Sequence, residues 1–138
     1  MTTLVVPYRQ MYDTSFLPML WVRLAGQEDF LALVDSGATI NVLPYSIGLN
    51  LGLNWADALT GPEIGGSVAG FSKKVKLLLK IRDFDPLELE FCWLNHDRVR
   101  LILGHWDFLQ HFDVCFSSYN RVMSLTQSKA ARASTGGS

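Results

Sequence analysis

At 138 residues the chain has the size of one domain with a core of its own. Hydrophobic residues make up 49% and charged residues 18%, with a formal net charge of -1, which excludes a disordered chain and a nucleic-acid binder held by charge. So apolar a composition in a small domain points to a surface partly covered by another subunit.

The opening run MTTLVVPYRQMYDTSF has no basic lead, and Pro7, Arg9 and Gln10 break its apolar stretch, so it does not read as a secretory signal. No stretch reaches the roughly 20 apolar residues of a membrane span, and a soluble, cytoplasmic chain is expected. Residues 17–24 (LPMLWVRL) and 30–34 (FLALV) read as a strand pair turning at Gly26, and the second strand runs straight into Asp35. Residues 46–53 (SIGLNLGL) suit one or two helical turns. Gly61, Pro62, Gly65, Gly66 and Gly70 then mark a mobile loop.

Residues 73–82 (KKVKLLLKIR) and 87–94 (LELEFCWL) read as a second strand pair turning at 83–86, the latter half exposed by its alternation. An apolar strand at 99–103 closes on Gly104, and 105–112 (HWDFLQHF) offers about two turns of helix. Strands at 114–116 and 121–126 flank a turn at Asn120. Residues 127–138 have the small, polar composition of a disordered tail or linker, and there is no internal repeat and no second domain.

Asp35 is the residue that needs an explanation. Burying an ionised carboxylate without partners costs several kcal/mol or more, so a chain that aims one out of an apolar strand either satisfies it or uses it. The plain alternative is an Asx turn, a common use of Asp before Ser-Gly. Cys92 and Cys115 lack CxxC spacing and read as buried free thiols. Of His96, His105 and His111 only the last two are close in sequence, on different helix faces, so no metal is expected. Lys73, Lys74, Lys76 and Lys80 read as the solvated face of a strand pair.

Three features in order, Asp35-Ser36-Gly37-Ala38 after an apolar strand, a glycine-rich segment, and Leu101-Ile102-Leu103-Gly104 before a short helix, resemble the retropepsin-like aspartic peptidases, single-domain relatives of retroviral proteases. The resemblance spans roughly residues 4–126. The stretch ILGHWDFLQHFDVCFSSYNRVMSL is similar to the bacterial members of the group. It implies an all-β fold: a single-lobe retropepsin-like acid-protease barrel with one short C-terminal helix.

The resemblance also implies an activity, aspartic endopeptidase, without cofactor. Two carboxylates share one proton and hold the water that attacks the peptide bond. Asp13, Asp29, Asp57, Asp83, Asp85, Asp97, Asp107 and Asp113 are not followed by Ser-Gly or Thr-Gly, so the second carboxylate is expected from Asp35 of a second copy in a two-fold homodimer. Ser36 would brace the two loops across the axis, Gly37 would let the backbone turn closely under a peptide or protein substrate, and Ala38 would keep the cleft floor small. Gly65, Gly66, Ser67, Val68, Ala69, Gly70 and Phe71 would form a flap that excludes water, with Val68 or Phe71 as apolar contacts. Leu101, Ile102, Leu103 and Gly104 would support the Asp35 loop from below.

The chain departs from many retroviral members in one respect. An acidic residue four positions after the catalytic Asp and an Arg after the Leu-Gly glycine form an ion pair there; here Thr39 and His105 stand in their places. Residues 3–8 and 121–126 are the candidate interface strands. A different class of function keeps the fold without the chemistry, as a dimerisation or peptide-binding module, and the intact Asp-Ser-Gly argues against it.

Overall fold

The computed structural model describes residues 2–66 and 69–127. Its elements in chain order are β1 (Thr2–Pro7), β2 (Arg9–Gln10), β3 (Phe16–Leu17), β4 (Met19–Leu24), β5 (Glu28–Val34), β6 (Val42–Leu43), α1 (Tyr45–Asn50), β7 (Leu59–Thr60), β8 (Ser72–Lys80), β9 (Leu87–Leu94), β10 (Ile102–Leu103), β11 (Asp113–Ser117) and β12 (Val122–Gln127).

Alternation builds the two long hairpins. On β4, Leu20, Val22 and Leu24 are buried while Trp21 and Arg23 face out. Gly26 turns the chain into β5 with φ +66°, a left-handed conformation that costs glycine nothing, and Arg23 reaches across to Asp29 at 3.0 Å. The expected strand at 17–24 breaks at Pro18, which has no N–H for a ladder; its carbonyl accepts instead from Val34 N–H at 3.0 Å. Ahead of the break, β2 and β3 form a small hairpin not foreseen in the sequence. Asp13 stabilises its turn by accepting from Ser15 Oγ and Ser15 N–H, bonds that lower the carboxyl pKa.

The strands β4, β5, β10, β6, β9 and β8 follow one another across a sheet that closes when β8 pairs with β4. Closure leaves no free edge among these six, and β7 extends from β8. Two parallel pairings, β5 with β10 and β6 with β9, knit the first half of the chain to the second. The core is Leu20, Val22, Leu24, Val34, Leu43, Leu79, Leu89, Phe91, Trp93, Leu103 and Phe108, among others. β9 alternates only in its first half: Phe91, Cys92, Trp93 and Leu94 are all buried, and α1 packs on this end of the strand through Tyr45 and Gly48 against Trp93. Trp93 stacks on Tyr45 at 5.7 Å and meets Trp55 edge-on at 5.0 Å. Of the four lysines, Lys74 and Lys76 are exposed, whereas Lys73 is half-buried over the Trp55 ring and Lys80 donates to the Phe84 carbonyl.

Three expectations are corrected. The strand at 99–103 contracts to Ile102–Leu103. The two helical turns at 105–112 reduce to one 3-10 turn, Phe108–Gln110, because Trp106 is bridged to Ile40 and its carbonyl, which an α-helix would offer to Gln110 N–H, accepts from Asn41 N–H instead. Cys115 is exposed rather than buried, since it lies on β11 at the edge of a separate sheet ordered β1-β12-β11. In that sheet β12 is the middle strand and pairs with β1 from Thr2 opposite Gln127 to Pro7 opposite Val122, so β12 has no side left for another chain. Of the expected tail at 127–138, Gln127 instead ends β12, paired with Thr2, and the rest lies outside the described residues. Among the described residues no helix is long and apolar enough to cross a membrane.

Cys92 is the buried thiol. Burial pushes its pKa up, with a side-chain bond to Ser72 acting the other way. A thiol-directed reagent near neutral pH should therefore modify Cys92 only after unfolding, which peptide mass mapping of labelled native and denatured protein will read.

Candidate active site

The end of β5 carries Asp35 into an exposed turn. Val34 is buried in the core, and Asp35 itself is half-buried. Asp35 N–H donates to the Leu103 carbonyl at 3.0 Å, and two residues earlier Leu33 N–H donates to Leu101 at 2.9 Å, so the strand is held by β10 up to its last residue. The carboxylate Oδ1 accepts from Gly37 N–H at 2.8 Å. That is the Asx-turn bond, and it engages one oxygen; Oδ2 takes no protein hydrogen bond among the described residues. A side chain at position 37 would crowd the same oxygen, at 3.2 Å from an added Cβ.

The loop after Asp35 is strapped down along its length. Ala38 N–H donates back to the Asp35 carbonyl at 3.1 Å, and Ala38 accepts from His105 N–H at 2.9 Å. Trp106 N–H donates to Thr39 at 2.8 Å, and Asn41 N–H donates to Trp106 at 3.1 Å. Gly104 makes this closeness possible, since an added Cβ there would lie 2.5 Å from the Ile40 carbonyl oxygen. Leu101, Leu103 and Gly104 are buried and Ile102 is half-buried, directly under the loop.

One residue at the centre of this strapping has no role in the sequence reading. Asn41 is fully buried; its Oδ1 accepts from Gly104 N–H at 2.8 Å, and its Nδ2 donates to the Glu90 carbonyl at 3.0 Å and to Asp107 Oδ1 at 2.9 Å. It joins four segments at once: its own loop, β9, the end of β10 and the 3-10 turn. The available signal was its position, a single amide inside the apolar run Ile40-Asn41-Val42-Leu43.

Thr39 and His105 do not leave a gap where an ion pair would stand. The exposed His105 ring approaches the Ser36 carbonyl at 2.6 Å, so position 105 still braces the loop, through an imidazole. Replacing His105 by Ala should cost about 0.5–1.5 kcal/mol. His105→Arg, which keeps a donor, should recover part of it. Urea midpoints at unchanged m-value measure both.

The glycine-rich segment is a hairpin at its base. Ile64 and Gly70 exchange N–H to carbonyl bonds, each at 2.9 Å, and His96 Nε2 lies 2.9 Å from the Ala69 carbonyl. Gly65, Gly66, Ala69 and Phe71 are exposed, Phe71 to 66%; Ser67 and Val68 lie outside the described residues. No hydrogen bond among the described residues joins this hairpin to the Asp35 loop. Residues 35–38 and 101–104 are thus brought together, and the hairpin stands apart, tied to the loop between β9 and β10.

His96, His105 and His111 do not assemble, and among the described residues no group of three or more His, Cys, Asp or Glu side chains could hold a metal ion.

No family model and no curated protein matches the sequence. Solved structures do match. The chain is similar to a retropepsin-like aspartic protease from Rickettsia conorii, with a TM-score of 0.68 over 90% of this chain and 91% of that one at 13% identity. The fold is retropepsin-like. The protease of EIAV, complexed with the inhibitor HBY-793, superposes with a TM-score of 0.55 over 72% of this chain and 91% of its own at 20% identity.

Proposed function

We propose that the chain is a homodimeric aspartic endopeptidase in which the Asp35 carboxylates of two copies share a proton and activate a water against a peptide carbonyl. The observation that carries this reading is the setting of Asp35: a half-buried carboxylate at the end of a core strand, one oxygen fixed by Gly37 N–H, on a loop strapped to residues 103–106 in a retropepsin-like fold. A fixed loop keeps a carboxylate in its reacting position and avoids ordering it during the reaction. No other aspartate begins an Asp-Ser-Gly or Asp-Thr-Gly turn, so the second carboxylate comes from a second copy.

In the mechanism, one carboxylate takes a proton from the water while the other, protonated, donates to the carbonyl oxygen. Two like charges brought together at one axis repel, which favours a single proton shared between the two carboxylates. The 64–70 hairpin closes over the substrate, and Phe71 offers an apolar contact beside it. The test is cleavage of an unstructured protein substrate across pH, with and without a pepstatin-type inhibitor. A bell-shaped, inhibitor-sensitive profile is expected; purified, folded protein that cleaves nothing at any pH would leave the fold without this chemistry.

A further inference from the structure

We propose that His96 positions the glycine hairpin for closure, and that it does so only as a neutral imidazole. This rests on the reading of that hairpin as the element that covers the substrate. Both ring nitrogens are used. Nδ1 accepts from Arg98 N–H at 3.1 Å, and Nε2 lies 2.9 Å from the Ala69 carbonyl. A ring nitrogen that accepts from an N–H carries no proton, so the neutral ring has its proton on Nε2 and donates it to Ala69. One tautomer satisfies both contacts, and it clamps the loop after β9 to the hairpin.

The contact is close and firmly backed. At Gly70 an added Cβ would lie 2.9 Å from Asn95 Oδ1 and 3.0 Å from His96 Cδ2, so the ring rests against the hairpin's backbone. On the other side, the His96 carbonyl accepts from Tyr45 N–H at 3.1 Å, and Asp97 Oδ1 accepts from Ser46 N–H at 2.8 Å. These bonds fix the loop to the start of α1, whose Tyr45 stacks on the buried Trp93. Among the described residues, the His96 ring supplies the one hydrogen bond that ties 63–70 to another part of the chain. Half-buried His96 therefore sets where the hairpin stands.

Acid undoes the clamp. With protons on both nitrogens, Nδ1–H points at Arg98 N–H, donor against donor. The ring is rigid, so a turn that separates these two carries Nε2 away from Ala69. Among the described residues no carboxylate bonds the ring to offset this. Of the ionisable groups on the elements around it, Asp97 is taken by Ser46, Glu63 and Arg98 are exposed, Lys73 lies over Trp55 and Tyr45 is stacked on Trp93.

Three readouts test the clamp. In mildly alkaline solution a long-range proton–nitrogen NMR spectrum of the native protein should show His96 as the Nε2–H tautomer. His96→Asn keeps an acceptor where Nδ1 stands but reaches no farther, so Ala69 loses its donor; His96→Gln carries an amide N–H to the place of Nε2. In His96→Asn the hydrogen-exchange protection of Gly70 N–H should fall about two- to tenfold, the scale of one hydrogen bond. KM for a peptide should rise by a similar factor with kcat little changed, because the substrate must then order the hairpin as it binds. His96→Gln should restore both and, unlike the parent, keep its Gly70 protection in acid. The tautomer and the parent's acid response need no substitution and stand independently of how the variants fold. An Nδ1–H tautomer, or Gly70 protection that ignores both His96→Asn and acid, would overturn the clamp. Protein that cleaves nothing yet shows the tautomer and the loss of protection would uphold the clamp and overturn the peptidase reading alone.

Discussion

Asp35→Asn should cut peptide hydrolysis by roughly 10²–10⁴-fold, the scale of positioned acid–base catalysis, while folding and self-association persist. In the proposed homodimer one substitution removes both carboxylates of the pair, because each copy contributes the same residue. The amide has nearly the same volume, and its oxygen can still accept from Gly37 N–H, so the turn that holds position 35 keeps its bond. Asp35 N–H still donates to Leu103 as well, since that contact belongs to the backbone. The thermal midpoint should therefore stay close to the parent's. The comparison needs active-site titration or a substrate assay together with a melting curve: activity near wild type in a folded Asp35→Asn protein would remove Asp35 from the chemistry.

Asn41→Ala should be the most damaging substitution to the scaffold outside the hydrophobic core, at about 3–5 kcal/mol from chemical denaturation. Three side-chain hydrogen bonds vanish, and what remains matters more: Gly104 N–H and the Glu90 carbonyl lose partners inside the protein, at roughly 1–3 kcal/mol for each unsatisfied group. Asn41→Asp separates polarity from size. Its carboxylate would face the Glu90 carbonyl and the Asp107 carboxylate with no proton to donate, so burial and like charge raise its pKa above the unfolded value. A group of that sign stabilises at low pH and loses its contribution as pH rises through the folded pKa, so Asn41→Asp should recover in acid whereas Asn41→Ala should not. Urea titrations at two pH values decide it; equal losses at both would mean that Asn41 acts by filling space.

The hairpins β4–β5 and β8–β9 were legible because one face of each is buried and the other wet, which writes a period of two into the sequence. Asp35 was legible because the short Asp-Ser-Gly motif stands directly after such a strand. Segments whose partners lie far off were not. β10 is two residues long and held between strands from elsewhere in the chain, so it has no pattern of its own. The helix expected at 105–112 failed because Trp106 is bridged to Ile40 and its carbonyl is taken by Asn41 N–H, a partner far off in sequence. The bonding of Asn41 to Glu90 and Asp107, 49 and 66 residues away, leaves no local trace beyond one polar letter in an apolar run. Cys115 was misplaced for the same reason: Val114 and Phe116 beside it look like core, and only the sheet order shows that the strand is an edge.

The strapping of the Asp35 loop also bears on when this site comes into being. His105 holds Ser36 across 69 residues of sequence, and Thr3 meets Thr126 across 123, so neither contact exists while the chain is still being synthesised through its middle. Long-range pairings of this kind form late because the loops they close must be closed first. A nascent chain that has displayed its Asp-Ser-Gly but not yet residues 101–106 carries a carboxylate on an unbraced loop. The Asp35 loop is thus braced only after residues 101–106 have been made, an order written into the strands.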